Sequence, residues 1–331
     1  MLGWLEQVNE SINGVVWGPV TLFLFLATGI WFTLGTGWFQ LSKIGLIFRN
    51  TLGSLGKNRL RKNGGISPFQ AMSTALAGTM GVGNITGIAT AMTLGGAGSI
   101  FWMWIITLIG AASAYTESAL GQAYKVKNPD GEFMGGPAYY IEKGLKCKPY
   151  AIIFAIVAVL GPGFLMPGVQ INSLVTVFEE AFSVNKILVG AICCVILAIV
   201  VYGSIKRIAK IAEMLAPVMC GIYILAAVVI LGLNITKLPG ILGVVVSSAF
   251  GKHAVFGGIL GSAVSWGVKR GIYSNEAGMG CGAIVSAAAE CSHPAKQGLI
   301  QTFSIYVDTL FIGTATALII LLTGTFDVCD S

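Results

Sequence analysis

Ala77-Gly78-Thr79-Met80-Gly81-Val82-Gly83-Asn84 lies inside an apolar run at 66–95. A run of that length reads as a membrane span, yet it carries three glycines within six residues. Each glycine costs a helix interior roughly 1 kcal/mol. Unwound backbone at membrane depth is tolerated only where it is buried in protein or lines a polar cavity. The stretch therefore predicts a discontinuous helix. Its half-helix N-terminus offers free N–H groups to a carboxylate, and its unpaired carbonyls suit a hard cation. Close helix packing is the other reading of the glycines. The compact Gly81-Val82-Gly83-Asn84, flanked by polar Thr79 and Asn84, favours a site.

The rest of the chain fits a bilayer. Of 331 residues, 55% are hydrophobic and only 10% charged, against about 25% charged in a soluble domain. Too few polar side chains remain to cover a water-facing surface, and the 45 glycines suit close helix approach and helix breaks. The net charge of +6 sits in short loops, where it reads as a topology signal and not as a nucleic-acid surface. Seven cysteines without Cys-x-x-Cys or Cys/His spacing give neither a disulfide framework nor a zinc site. His253 and His293 fall in predicted loops. The first apolar run follows Glu6 and Glu10 and not a basic segment, so no cleavable signal is expected.

Apolar runs of about 20 residues predict spans at roughly 15–34, 66–95, 98–124, 149–178, 186–204, 212–233, 255–285 and 298–323. Loops with Lys43, Arg49, Lys57, Arg59, Arg61 and Lys62, with Lys125, Lys127, Lys143, Lys146 and Lys148, and with Lys206, Arg207 and Lys210 alternate with loops holding only Lys186, Lys237 and Lys252. The basic set is expected on the cytoplasmic side, with the N-terminus outside. Phe101, Trp102 and Trp104 read as an interfacial aromatic belt.

The span at 255–285 repeats the pattern of the first break. Ser265-Trp266-Gly267-Val268-Lys269-Arg270-Gly271 precedes Tyr273-Ser274-Asn275-Glu276-Ala277-Gly278-Met279-Gly280, and a second break is expected at Ser265–Gly267. Trp266 and Gly267 there are candidates for walling a small pocket, with ordinary packing as the alternative for Trp266. Charged side chains in this span are costly unless paired, functional or snorkelling. Glu117 and Arg270 form a candidate gating pair. The two breaks lie in spans of opposite direction, as an inverted repeat requires. On that reading 1–65 is an extra N-terminal helix with a basic loop, 66–235 a first five-helix repeat, and 236–331 the start of a second. The second repeat would run to about residue 420 if complete. The fold class is an all-α integral membrane bundle with two discontinuous helices.

Three stretches carry a specific resemblance. They are Thr79-Met80-Gly81-Val82-Gly83-Asn84-Ile85-Thr86-Gly87, Gly95-Gly96-Ala97-Gly98-Ser99-Ile100-Phe101-Trp102-Met103-Trp104, and Lys269-Arg270-Gly271 through Gly280. Together they resemble the alanine/glycine:cation symporters, also called sodium:alanine symporters, over essentially the whole chain. The resemblance implies a five-plus-five inverted-repeat transporter whose last three helices are absent here. It implies symport of small neutral amino acids, alanine or glycine, with sodium as the coupling ion and no other cofactor. Proton coupling and a non-transporting shortened homologue are the alternatives. It further implies a cation held by the Thr79 carbonyl, the Asn84 side chain and Asp308. The substrate would be lined by Thr79, Gly81, Val82, Gly83 and Asn84, its carboxylate facing the Val82 and Gly83 N–H groups. Asp308 is equally readable as a hydrogen-bonded structural acid. Gln170, after the kinked Gly161-Pro162-Gly163, can bond the substrate or join helices.

A channel needs a continuous polar pore, which sparse midplane polarity does not provide. An intramembrane enzyme is disfavoured because no G-x-S-x-G, H-E-x-x-H or paired midplane aspartates occur.

Overall fold

The computed structural model describes residues 2–54, 65–202, 204–250 and 257–324. Lys57, Arg59, Arg61, Lys62, Lys252, His253 and Cys329 lie outside the described residues. Helices dominate, among them α1 (Leu2–Val16), α2 (Pro19–Gly35), α3 (Phe39–Ser42), α4 (Ile44–Leu52), α8 (Pro137–Gly144), α11 (Lys186–Val201) and α12 (Ser204–Leu233), and a two-stranded hairpin, β1 (Val126–Lys127) and β2 (Phe133–Met134), sits in one loop.

Five stretches of helix are long and apolar enough to cross a bilayer: Glu6–Gly35, Gly98–Ala123, Lys148–Phe182, Ile205–Leu233 and Pro294–Leu322. The two expected spans around the glycine clusters are not among them because each is split. The first is α5 (Pro68–Thr79) followed by α6 (Val82–Gly95). Ser67 starts α5 with a capping box: its Oγ accepts from the Gln70 N–H at 3.1 Å, and Gln70 Oε1 accepts from the Ser67 N–H at 2.9 Å. The α5 helix stops at Met80 and Gly81, as the sequence predicts.

The second split differs from expectation. Helix α14 (Gly257–Asn275) runs unbroken through Ser265–Gly267. The chain unwinds instead at Glu276–Gly280, where Glu276, Gly278 and Gly280 have φ of 52°, 86° and 90°, and resumes as α15 (Cys281–Ala287). Gly267 serves packing. A Cβ there would lie 2.5 Å from the Ser99 carbonyl oxygen and 2.7 Å from Trp102 Cβ, both on α7 (Gly98–Ala123). The α7 helix is the central strut, with α14, α15 and α16 (Pro294–Ile305) packed along it.

After α16 the helix widens into a π-helical segment at Tyr306–Gly313 before α17 (Thr314–Leu322). A second π-helical turn, Gly161–Leu165, kinks the join between α9 (Lys148–Leu160) and α10 (Met166–Phe182). A further helix, α13 (Leu238–Ala249), was not expected from the sequence, because its 12 residues fall short of a span. Trp102 and Trp104 donate their indole N–H groups to the Ala249 carbonyl at 3.3 Å and Thr314 Oγ1 at 2.8 Å. Those rings fasten α7 to α13 and α17.

Candidate functional site

Three segments that leave regular α-helix or begin beside a break meet in the core. Asn84 projects from the first turn of α6, Ser274 from the last turn of α14, and Asp308 and Thr309 from the π-helical segment. All four are at least 98% buried. Asn84 Nδ2 donates to Asp308 Oδ1 at 2.7 Å. Thr309 Oγ1 donates to Asp308 Oδ2 at 3.0 Å. Ser274 Oγ lies 2.9 Å from Asp308 Oδ2, 3.3 Å from Thr309 Oγ1, and in short contact with Asn84 Oδ1. Thr79, at the end of α5, lies beside Asp308 as well, and its hydroxyl donates to the Leu76 carbonyl at 3.2 Å.

Ser274 has one proton and three oxygen neighbours. Oxygens thus crowd together with fewer protons than contacts, around a carboxylate with no basic partner among the described residues. A hard cation, which prefers oxygen ligands, fits that donor set, and an intramembrane carboxylate calls for such a countercharge.

Next to this cluster the first break presents the free N–H groups of α6. The Val82 N–H is taken by Gln170 Oε1 at 3.0 Å, so α10 reaches across to the break. Gly81 permits the approach: a Cβ there would stand 2.6 Å from that same oxygen. Gly83 faces the other way, its added Cβ meeting the Tyr273 ring at an ordinary 3.5 Å.

Of the residues expected at the site, Thr79, Gly81, Val82, Gly83, Asn84, Gln170 and Asp308 gather at the first break. Trp266 and Gly267 do not. Trp266 packs against Gly95, at the far end of α6, roughly 20 Å of helix rise from Val82. Glu117 and Arg270 are not paired either. Glu117 accepts from the Gly280 N–H at 3.1 Å, while the Arg270 guanidinium lies over the Trp266 and Tyr273 rings at 5.4 and 5.9 Å. The shifted second break explains both corrections: it brings Glu276–Gly280, and not Ser265–Arg270, to the depth of the site. Ser274 and Thr309 were not singled out from the sequence, although Ser274 stands in the quoted second motif and Thr309 follows Asp308.

A multi-pass helical membrane protein with two interrupted helices and a buried oxygen cluster between them is the class this geometry defines. The chain belongs to the sodium:alanine symporter family, whose profile matches residues 2–330. It is 46% identical over 317 residues to the putative sodium/proton-dependent alanine carrier protein YrbD of Bacillus subtilis, covering 96% of this chain and 64% of that protein. It is 44% identical over 325 residues to the probable sodium/glutamine symporter GlnT of the same organism, covering 97% and 66%. It is 39% identical over 327 residues to the sodium/alanine symporter AgcS of Methanococcus maripaludis, covering 98% and 72%. The chain thus spans about two thirds of the length of these relatives.

Proposed function

We propose that this chain carries the ion- and substrate-binding core of a sodium-coupled symporter for small neutral amino acids, alanine foremost, in the cell membrane with its N-terminus outside. The observation that carries the reading is the cluster of Asn84, Ser274, Asp308 and Thr309 beside the free N–H end of α6. Sodium enters among these oxygens and is held by Asp308, the Asn84 and Ser274 oxygens, Thr309 and the Thr79 carbonyl. Breaking the Asn84–Asp308 hydrogen bond frees the carboxylate for the ion. The amino acid's carboxylate then takes the Val82 and Gly83 N–H groups. Gln170 Oε1, an amide oxygen, now stands where that carboxylate oxygen would go. Its displacement returns the amide to hydrogen-bond the ligand. Coupling follows because ion and substrate use adjacent atoms of one half-helix end, so each organises the site for the other. The names of the relatives above, alanine carriers and a glutamine symporter, support this substrate class. The division into 66–235 and 236–331 as inverted repeats belongs to the same proposal.

The test is uptake of radiolabelled alanine into proteoliposomes containing the purified chain, under inward sodium or proton gradients. Saturable uptake driven by sodium, and competed by glycine, is expected. Uptake driven by protons alone, or none with either ion, refutes the reading.

A further inference from the structure

A cavity lies between the first and second breaks, and Thr79 borders both it and the Asn84–Asp308 cluster. It has a volume of about 90 Å³, and Thr79, Glu117, Asn275, Glu276, Cys281 and Gln301 are among its lining residues. Several features set it apart from a packing defect. Glu117, Asn275 and Gln301 are 93%, 97% and 97% buried. Glu117 and Glu276 are near enough to repel each other, yet neither has a cationic partner among the described residues. Gln301 Oε1 and Asn275 Nδ2 are buried without a hydrogen-bond partner, although their residues line the cavity. Gln301 and Glu117 also converge: a Cβ on Gly282 would meet Gln301 Nε2 at 3.1 Å and Glu117 Oε1 at 3.4 Å.

An orphaned amide oxygen beside unpaired carboxylates is an acceptor set lacking positive charge. Buried polar groups are nearly always satisfied, and acids within a membrane are neutralised by a base, a proton or a bound cation. Basic side chains do not supply that charge here. Arg270 turns to Trp266 and Tyr273, and Lys269 also lies over Trp266, its Nζ 5.3 Å from the ring centroid. Cys281 already engages Glu276 through its thiol. The volume suits an ion with one or two waters, since a water occupies roughly 30 Å³ in the liquid. The available donors are carboxylate and amide oxygens, which suit a hard ion better than a transition metal.

We propose that this cavity is a second monovalent-cation site, with Glu117 Oε1 and Gln301 Oε1 as its principal ligands, Glu276 adding charge and Asn275 holding a bound water. Its occupancy ties α7 and α16 to the second break, because the Glu117 carboxylate also holds the Gly280 N–H. The inference goes beyond the symport reading, which supplies only the Asp308 ion in the count, and binding is measured with no amino acid present.

The experiment counts radioactive sodium bound to the purified chain by equilibrium dialysis, with radioactive rubidium in parallel to detect preference for a larger ion. Two sodium ions per chain are expected, or one sodium and one rubidium where the cavity prefers the larger ion. Asp308→Ala and Gln301→Met should each lose one, and the double variant both. Gln301→Glu, which restores an oxygen ligand, should retain two. Melting in detergent separates binding from folding: added sodium should stabilise each single variant but not the double variant. An ion count that Gln301→Met leaves equal to the wild type's, or loss of both ions in Asp308→Ala alone, overturns the proposal; a wild-type count of one that Gln301→Met abolishes and Asp308→Ala does not supports this site and bears against the Asp308 ion. A protonated Glu117 in place of an ion gives the first of these results. Failure of alanine uptake leaves the ion count unchanged and bears only on the transport reading.

Discussion

Asn84 and Asp308, 224 residues apart in sequence, are joined by a 2.7 Å hydrogen bond from Nδ2 to Oδ1 in a fully enclosed setting. The bond ties the half-helix after the first break to the π-helical segment. That segment carries an extra residue per turn, and such widening recurs at functional sites. Here it places both Asp308 and the adjacent Thr309 against the same core cluster.

Asp308 supplies the only carboxylate of the cluster, so the largest loss of sodium affinity is expected there. Asp308→Asn keeps an oxygen and a hydrogen-bonding shape but removes the charge. It should weaken sodium binding at least tenfold, about 1.4 kcal/mol or more. Asp308→Ala should abolish sodium-driven accumulation. Sodium titrations of uptake and of melting temperature measure both, and wild-type sodium affinity in both variants assigns Asp308 a structural role.

Ser274→Ala tests the part of the site that the sequence did not expose. It removes an oxygen within 2.9 Å of Asp308 and in contact with Asn84. A several-fold loss of sodium affinity is expected, with a smaller one for Thr309→Val. A sodium affinity unchanged in both variants limits the ion to Asn84, Asp308 and the Thr79 carbonyl.

The glycines, Asn84 and Asp308 were legible because each is costly in a bilayer unless it works. Glycine clusters and a midplane acid stand out against an apolar run. Serine and threonine do not, since their hydroxyls can satisfy themselves on the helix, as Thr302 Oγ1 does on the Gly298 carbonyl at 3.0 Å. For a related reason the second break falls away from the position that the sequence predicts. Gly267 and Gly271 resemble helix breakers in sequence, but their missing side chains admit α7: a Cβ on Gly271 would come within 2.4 Å of Ile106 Cγ2. Only the tertiary partner distinguishes the two uses of glycine. Glu276, the first residue of the real break, takes φ of 52° without being glycine, which no propensity scale favours.

Gly81 and Gly83 should therefore respond differently to the same change. Gly83→Ala adds a methyl at ordinary contact distance from Tyr273, and alanine is the better helix former by roughly 1 kcal/mol. Stability should hold and alanine affinity should change little. Gly81→Ala places its methyl where Gln170 Oε1 meets the Val82 N–H. Gln170 can swing aside, so the fold should survive while alanine affinity falls at least tenfold. Equal effects of the two substitutions on the KM for alanine would reject the assignment of Gly81 as the closest backbone approach.

Gly267 offers the converse test, a glycine read as site from sequence and as packing from structure. Gly267→Ala drives a methyl against the Ser99 carbonyl and Trp102 Cβ of the central helix. Overpacking of this kind costs about 1–3 kcal/mol. The expected result is a lower melting temperature and yield, with unchanged sodium affinity in the protein that folds. Weakened ion or alanine binding at full stability contradicts the packing role.

The last prediction concerns the ends of the two split helices farthest from the breaks. The Ile66 N–H, at the start of the first broken helix, donates to the Ala288 carbonyl at 3.1 Å. The Glu290 N–H donates back to the Ile66 carbonyl at 2.8 Å. On the same patch Gln122 Nε2 donates to the Ala289 carbonyl at 2.8 Å and also to that of Ser286, and Lys125 Nζ donates to Ala289 at 2.6 Å. The Ser286 carbonyl lies in the last turn of α15 and also accepts from the Ala289 N–H at 3.1 Å, while Ala288 and Ala289 follow the helix end, where carbonyls lack intrahelical partners. A seven-residue helix has too few internal bonds to stand alone, so this latch holds it against α5 and α7. Loosening the latch should open the space behind it, which Cys281 lines. Ile66→Pro removes the N–H and with it the 3.1 Å bond. Gln122→Leu leaves the Ser286 carbonyl without its side-chain donor. In a background where the other cysteines are replaced, each variant should raise the rate at which maleimide labels Cys281 several-fold, and the pair more than either. Sodium affinity at Asp308 should stay the same, since the latch touches none of its neighbours. A labelling rate equal to that of the parent in both variants shows that the half-helix ends are held by apolar packing, and that these hydrogen bonds do not keep the cavity shut.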